Sequence, residues 1–82
     1  MASFFVVQSF SQAKRGMKPD VPVQANSILH ARRMAERLAL RKPMVFATVT
    51  DGDPETGDFE EPRLICFHGA ERPEELNDMR PA

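Results

Sequence analysis

The sequence predicts an α+β domain. It reads as a single antiparallel sheet of about four strands in the order β-β-α-β-β, with one helix packed on one face. Three observations carry this expectation. Two runs rich in aromatic and β-branched residues, SFFVVQSF and MVFATVT, bracket the one segment with helical periodicity, and a third run, RLICFHG, follows. The helical segment is amphipathic at a 3.6-residue repeat. The connections concentrate Gly, Pro, Asp and Asn, and a chain of 82 residues holds one domain at most.

The first strand is expected over residues 3–10. Phe4, Val6 and Phe10 share one side with Gln8, while Phe5 and Val7 share the other with Ser9. Both sides begin apolar, which points to a central strand or to a sheet whose second face meets a partner. Residues 11–20 are polar, with Gly16 and Pro19 as turn formers, and VPVQA (21–25) reads as a short edge strand because Pro22 has no N–H to donate. Residues 3–25 are thus expected to form a wide hairpin. Ser27 is the expected cap of a helix over ILHARRMAERLALRK that Pro43 ends. Ile28, Ala31, Met34, Ala35, Leu38 and Ala39 fall on one stripe, with His30, Arg33, Arg37 and Arg41 opposite and Leu29 and Leu40 on a flank.

MVFATVT (44–50) is the next strand and RLICFHG (63–69) the last. The intervening connection is long for a hairpin, so part of DFEEP is expected to extend the final strand, with Pro62 at an edge or bulge. The domain is expected over residues 1–69. Residues 70–82 carry almost no apolar side chains and are expected to form a disordered acidic tail, with at most one helical turn around 74–79. If the helix covers one sheet face, Phe5, Val7, Phe46 or Phe67 is left on the other, according to register.

Net charge is −1, but the halves differ sharply. Residues 1–50 carry eight basic and two acidic side chains, net +6, whereas residues 51–82 carry three basic and ten acidic ones, net −7. Such a split fits a basic binding face with an acidic counterweight, or two halves that attract each other within a chain or between copies. The longest apolar run near the N-terminus, residues 4–7, is too short for a signal peptide or a membrane span, and a lone Cys66 cannot form an internal disulfide. A cytoplasmic location and no membrane contact are the expectations.

DGDPETGDFEE, residues 51–61, raises the most specific chemical question. Counted as a calcium loop, Asp51, Asp53 and Glu55 occupy the first three alternate ligand positions. Thr56 then stands where glycine is required and Pro62 where a bidentate Glu is required. With Asp58, Glu60 and Glu61 the stretch reads instead as an acidic interaction loop. Carboxylate-pair catalysis needs a rigid cleft that such a loop does not offer. Cys66 and His68 share one strand face but have no further Cys pair to complete a zinc site, so they read as a core filler and a surface residue. Lys14, Arg15, Lys18, Arg33, Arg37 and Arg41 form a candidate basic face for nucleic acid, without Tyr or Trp to stack bases. Neither a glycine-rich phosphate loop nor a serine elbow occurs, and no cofactor or catalytic residue is implied.

Over residues 4–68, FVVQSF, the Asn-Ser-capped helix with AERLA, and MVFATVTDGDPETGDFEE resemble small uncharacterised bacterial domains built as two hairpins flanking one helix. The resemblance implies the architecture and carries no activity or site. The functional expectation is a small, non-catalytic protein-interaction or self-association module, forming a homo-oligomer or binding a protein partner. The alternative is a weak nucleic-acid binder that uses the basic hairpin loop and helix face.

Overall fold

A computed structural model describes residues 2–82. The first strand does not stop at Phe10. β1 spans Ala2–Ala13, and Lys14-Arg15 turn it directly into β2, Gly16–Pro19. No described non-glycine residue has a positive φ; Gly16, at φ 93°, supplies the left-handed step that lets so short a turn close. The wide hairpin expected over 3–25 is therefore a tight one, followed by a separate strand β3, Val23–Ala25, on the same edge of β1. The break between β2 and β3 falls at residues 20–22, between Pro19 and Val23, where Pro22 cannot donate to the ladder.

α1 spans Ile28–Ala39, shorter than the periodicity predicts. Ser27 caps it: the His30 backbone N–H donates to Ser27 Oγ at 3.0 Å, and the Asn26 N–H donates to His30 Nδ1 at 3.0 Å. At its end the Leu40 N–H turns to the Arg37 carbonyl, so the last turn tightens ahead of Pro43. β4, Met44–Asp53, runs through the start of the acidic stretch instead of ending before it. A four-residue turn with Gly57 at φ 78° leads into β5, Asp58–Phe59, which pairs with Gly52 and Asp53. After a break at Glu60–Pro62, β6, Arg63–Gly69, pairs with the rest of β4 and carries a bulge opposite Ala47 and Thr48.

The expected four-stranded α+β sheet is thus corrected. One curled, antiparallel sheet of six strands dominates, in the order β2-β1-β4-β5 with β3 on β1 and β6 on β4. Strands hold 48% of the residues and helices 20%, which makes the protein mostly β. The physical reason is that both edges are broken at residues that interrupt a ladder, and that β1 and β4 are longer than their apolar runs.

The core lies between α1 and one sheet face. Ala31 and Ala35 are fully buried against Val7, Ala25, Val45, Ala47, Val49 and Ile65, with Phe5, Met34, Leu38 and Cys66 around the margin. No aromatic ring is fully buried; the largest fully buried side chains are Val7, Val45 and Val49. No helix among the described residues is long and apolar enough to cross a membrane.

The C-terminal segment is a second correction. Residues 74–77 form α2, Leu76 is only 3% exposed, and residues 80–82 lie along β6. The Leu64 N–H donates to the Arg80 carbonyl and the Ala82 N–H to the Leu64 carbonyl, both at 2.7 Å. One apolar residue in a polar stretch is enough to anchor a segment when a sheet edge offers free backbone groups. Leu76→Ala is expected to destabilise the protein by about 2–3 kcal/mol, within the range for a buried leucine. Urea unfolding followed by circular dichroism reads this directly, and an unchanged midpoint would mean that the segment does not pack.

Candidate functional site

Alternation along β1 turns Phe5, Val7 and Ser9 toward α1 and leaves Phe4, Val6 and Phe10 on the opposite face. The same logic on β4 puts Val45, Ala47 and Val49 under the helix and Phe46 on the far side. Cross-strand register then gathers the rings. Phe46 lies opposite Phe67 on β6, and Gly52 lies opposite Phe59 on β5. The Phe4 and Phe59 centroids are 5.9 Å apart and those of Phe10 and Phe46 are 6.0 Å apart, both pairs tilted. A Cβ at Gly52 would overlap Cδ1 of Phe59, so the glycine is what lets that ring lie across its neighbour. Five of the six phenylalanines thus share the face away from the helix. None is buried, and Phe59 is 53% exposed. The C-terminal segment borders this face at β6, where the Arg72 guanidinium sits 5.7 Å from the Phe67 ring centroid. Of the four residues expected on an open face, Phe46 and Phe67 are there, while Phe5 and Val7 belong to the helix side. Phe4, Phe10 and Phe59 were legible only as strand residues, because their face depends on register.

The charged sets occupy opposite ends of the sheet. Lys14 and Arg15 form the β1–β2 turn and Lys18 lies on β2, beyond the Phe10–Met44 end of the β1–β4 ladder. Asp51 and Asp53 close β4 at the Ala2–Gly52 end, Glu55 lies in the turn beyond it, Asp58 is on β5, and Glu60 returns alongside Asp51 with Glu61 after it. β1 alone, at a rise of about 3.4 Å per residue, separates the two turns by roughly 37 Å. The long axis of the molecule is 41 Å. Arg33 and Arg37 flank a shallow groove of ≈ 430 Å³ with Glu36 and the 85%-exposed Leu40, and Arg41 follows in the turn after α1, next to Lys42, which reaches Ser11 on β1. The six basic residues are thus divided between the β1–β2 hairpin and the exposed side of α1 with the turn that follows it.

Ion pairing leaves the charge split intact. Among the described residues two salt bridges occur, Lys42–Asp20 at 3.3 Å and Arg63–Asp51 at 2.6 Å. Each joins residues of the same half of the chain, so neither pairs the positive half with the negative one. Asp51 is fully engaged, since Ser3 Oγ donates to its other oxygen at 2.5 Å. Asp53 accepts from the Glu55 N–H at 2.9 Å, a local turn contact. No group of three or more His, Cys, Asp or Glu among the described residues is placed to hold a metal ion.

Two further clusters complete the inventory of chemistry. Cys66 and His68 stand opposite Ala47 and Val45, on the helix side of the sheet. Burial pushes the Cys66 thiol up from its ordinary pKa, which leaves it a poor nucleophile. Asp20 was not singled out by sequence reasoning, because its partners are distant in the chain. Ser9 Oγ and Ser11 Oγ donate to its carboxylate at 2.9 and 2.7 Å, and Lys42 Nζ donates to Ser11 Oγ at 2.8 Å. Gln8 Nε2 donates to the Asp20 carbonyl at 2.7 Å, and the Asp20 N–H to the Ser9 carbonyl at 2.9 Å. This cluster fastens the β2–β3 break to β1.

No family model matches the chain, and no curated protein and no solved structure is detectably similar to it. What the protein does is therefore read from its own residues.

The Asp20 cluster has a pH signature. The Ser11 hydroxyl foremost, then Ser9 and Lys42, hold the Asp20 carboxyl below its ordinary value of 3.8. A depressed folded-state pKa gives stability that is fully present above the unfolded value and is lost as pH falls through the folded one. Wild type is therefore expected to lose urea resistance more steeply below pH 3.8 than Asp20→Asn does, with the two curves converging in acid. Parallel pH profiles of the unfolding midpoint would show that Asp20 contributes nothing.

Proposed function

We propose that this chain is a non-catalytic interaction module that associates with itself through the sheet face opposite α1. The observation that carries this reading is the gathering of Phe4, Phe10, Phe46, Phe59 and Phe67 on the face opposite α1, where Phe59 is exposed and the other four are partly buried. Contiguous apolar surface of this kind marks interaction sites in soluble proteins.

The edges are poorer candidates than the face. The β2/β3 edge is broken, contains Pro19 and Pro22, and carries Lys14, Arg15 and Lys18 at its end, all devices that discourage edge pairing. At Leu64 the edge of β6 is occupied by residues 80–82 of the same chain. The non-catalytic reading is supported by two open surface depressions. One is bordered by Arg33, Glu36, Arg37 and Leu40, the other by Asp51, Glu60, Glu61, Arg63 and Arg80, and neither contains the Ser-Asp-Lys cluster or Cys66. The single, partly buried thiol suits a reducing cytoplasmic compartment.

Sedimentation equilibrium over a range of concentrations tests the reading. A reversible dimer is expected, and Phe46→Ser should weaken it at least about tenfold, ~1.4 kcal/mol. Leu40→Ser, on the exposed helix flank, should leave it unchanged. A strict monomer at all concentrations would sink the proposal.

A second reading keeps nucleic acid as the ligand. Its support is that Lys14, Arg15, Lys18, Arg33, Arg37 and Arg41 take part in no salt bridge among the described residues. Phosphate binding is mostly cationic neutralisation and weakens steeply with salt. A gel shift with mixed RNA and DNA should then show binding that fades as salt rises and is reduced by Lys14→Glu with Arg15→Glu. Absent or salt-insensitive binding would eliminate this reading.

A further inference from the structure

We infer that the partner on the phenylalanine face is a second copy of this chain lying face to face and end-reversed, so that the acidic end of each copy sits over the basic end of the other. The inference rests on the self-association reading and adds the geometry of the pair. Two sheets that pack face to face keep their strands roughly aligned, and two-fold symmetry then allows two arrangements. An axis along the strands superposes like ends. An axis across the strands superposes opposite ends.

Charge decides between them. Within one copy the basic and acidic turns stand at opposite ends of a molecule 41 Å long, and among the described residues no salt bridge joins the two halves of the sequence. That separation is about four times the Debye length of about 10 Å at 0.1 M salt, so the ends are screened from each other. Face-packed sheets lie about 10 Å apart. Stacking therefore brings the ends of two copies within about one Debye length, a proximity that the single chain cannot reach. In the like-ended arrangement Lys14, Arg15 and Lys18 would face their own copies, and Asp53, Glu55 and Asp58 theirs. The reversed arrangement sets these two groups against each other at both ends.

Area makes this contribution matter. Across β3, β1 and β4 at about 4.8 Å per strand, and over about seven residues of strand length, the face projects roughly 340 Å² per copy. That is below the about 800 Å² per partner of a standard stable interface, so the apolar face alone supports only a weak dimer. The flanking charges then govern its strength and orientation. The C-terminal segment, with Arg72 over Phe67, forms the rim along β6.

Cross-linking tests the orientation. Lys14→Cys and Glu55→Cys are made separately in a Cys66→Ser background, checked for folding by circular dichroism, treated with nuclease, mixed in equal amounts and exposed to a short bis-maleimide. The expected product is the mixed Lys14→Cys/Glu55→Cys dimer, with homodimeric products minor. Dimer affinity should fall about tenfold between about 0.05 and about 0.5 M salt, because screening acts on the end charges. Dominant Lys14→Cys homodimers, in a protein that still sediments as a dimer, would overturn the end-reversed arrangement and leave self-association standing. Absence of any dimer by sedimentation would instead defeat the underlying reading. A dimer abolished by the nuclease would assign the bridge to nucleic acid and overturn the inference.

Discussion

The close seat of α1 on the sheet is the constraint from which the rest follows. The helix meets the strands through Ala31 and Ala35, and the residues beneath are Val7, Val45, Ala47 and Val49. Side chains this small bring the helix backbone near the sheet and leave no room for a ring. The phenylalanines are consequently displaced: Phe5 reaches the core margin, and the other five lie on the opposite face. Fully burying a Phe side chain contributes about 1.5–3 kcal/mol, so a fold that leaves most of its rings half-exposed forgoes part of its largest available stabilisation. For a chain of 82 residues, with little surface to bury in the first place, that is a substantial omission. A second layer on that face would recover it.

Two carboxylates hold the sheet together where its ladders fail. At one end the chain crosses from β2 to β3 through a stretch where Pro22 has no N–H to give. Asp20 spans the gap with its own backbone N–H and with a carboxylate that collects Ser9 and Ser11 and pairs with Lys42 just past the helix. At the other end Asp51 ties Ser3 at the start of β1 to Arg63 at the start of β6, and its carbonyl accepts from the Glu60 N–H across the second break. Each bond replaces a ladder contact that proline or a change of strand removes. Among the described residues these two are also the acids that make salt bridges, and the other charges at both ends make none.

An elongated sheet with opposite charge at its ends and rings on one face is incomplete in two respects at once. The rings on the face opposite α1 are only partly buried, and among the described residues no salt bridge joins the positive half of the chain to the negative half. In the proposed arrangement a second copy in the reversed orientation would supply both, because the same rotation that covers the rings exchanges the ends. The acidic stretch 51–61 takes its meaning from that setting. It is the far end of a polar molecule, with its first residues built into β4 and with Asp51 already committed to Ser3 and Arg63.

The sequence by itself determined what depends on near neighbours. The Ser27 cap, the alanine stripe of α1, the strand character of FVVQSF, MVFATV and RLICFH, and the charge split were all legible there, since capping, periodicity and composition are local. The tertiary structure decided the rest. Ser11, Gln12 and Ala13 have little strand propensity of their own, yet they continue β1 because Gly16–Pro19 returns to pair with them. Leu76 is a single apolar residue among acids, and it is buried where residues 80–82 bond to the free edge of β6. Which face each phenylalanine joins turns on register, where a shift of one residue exchanges the two sides of a strand. Register is set by pairing between residues some forty positions apart, such as Val7 with Ala47, and no local pattern encodes that distance.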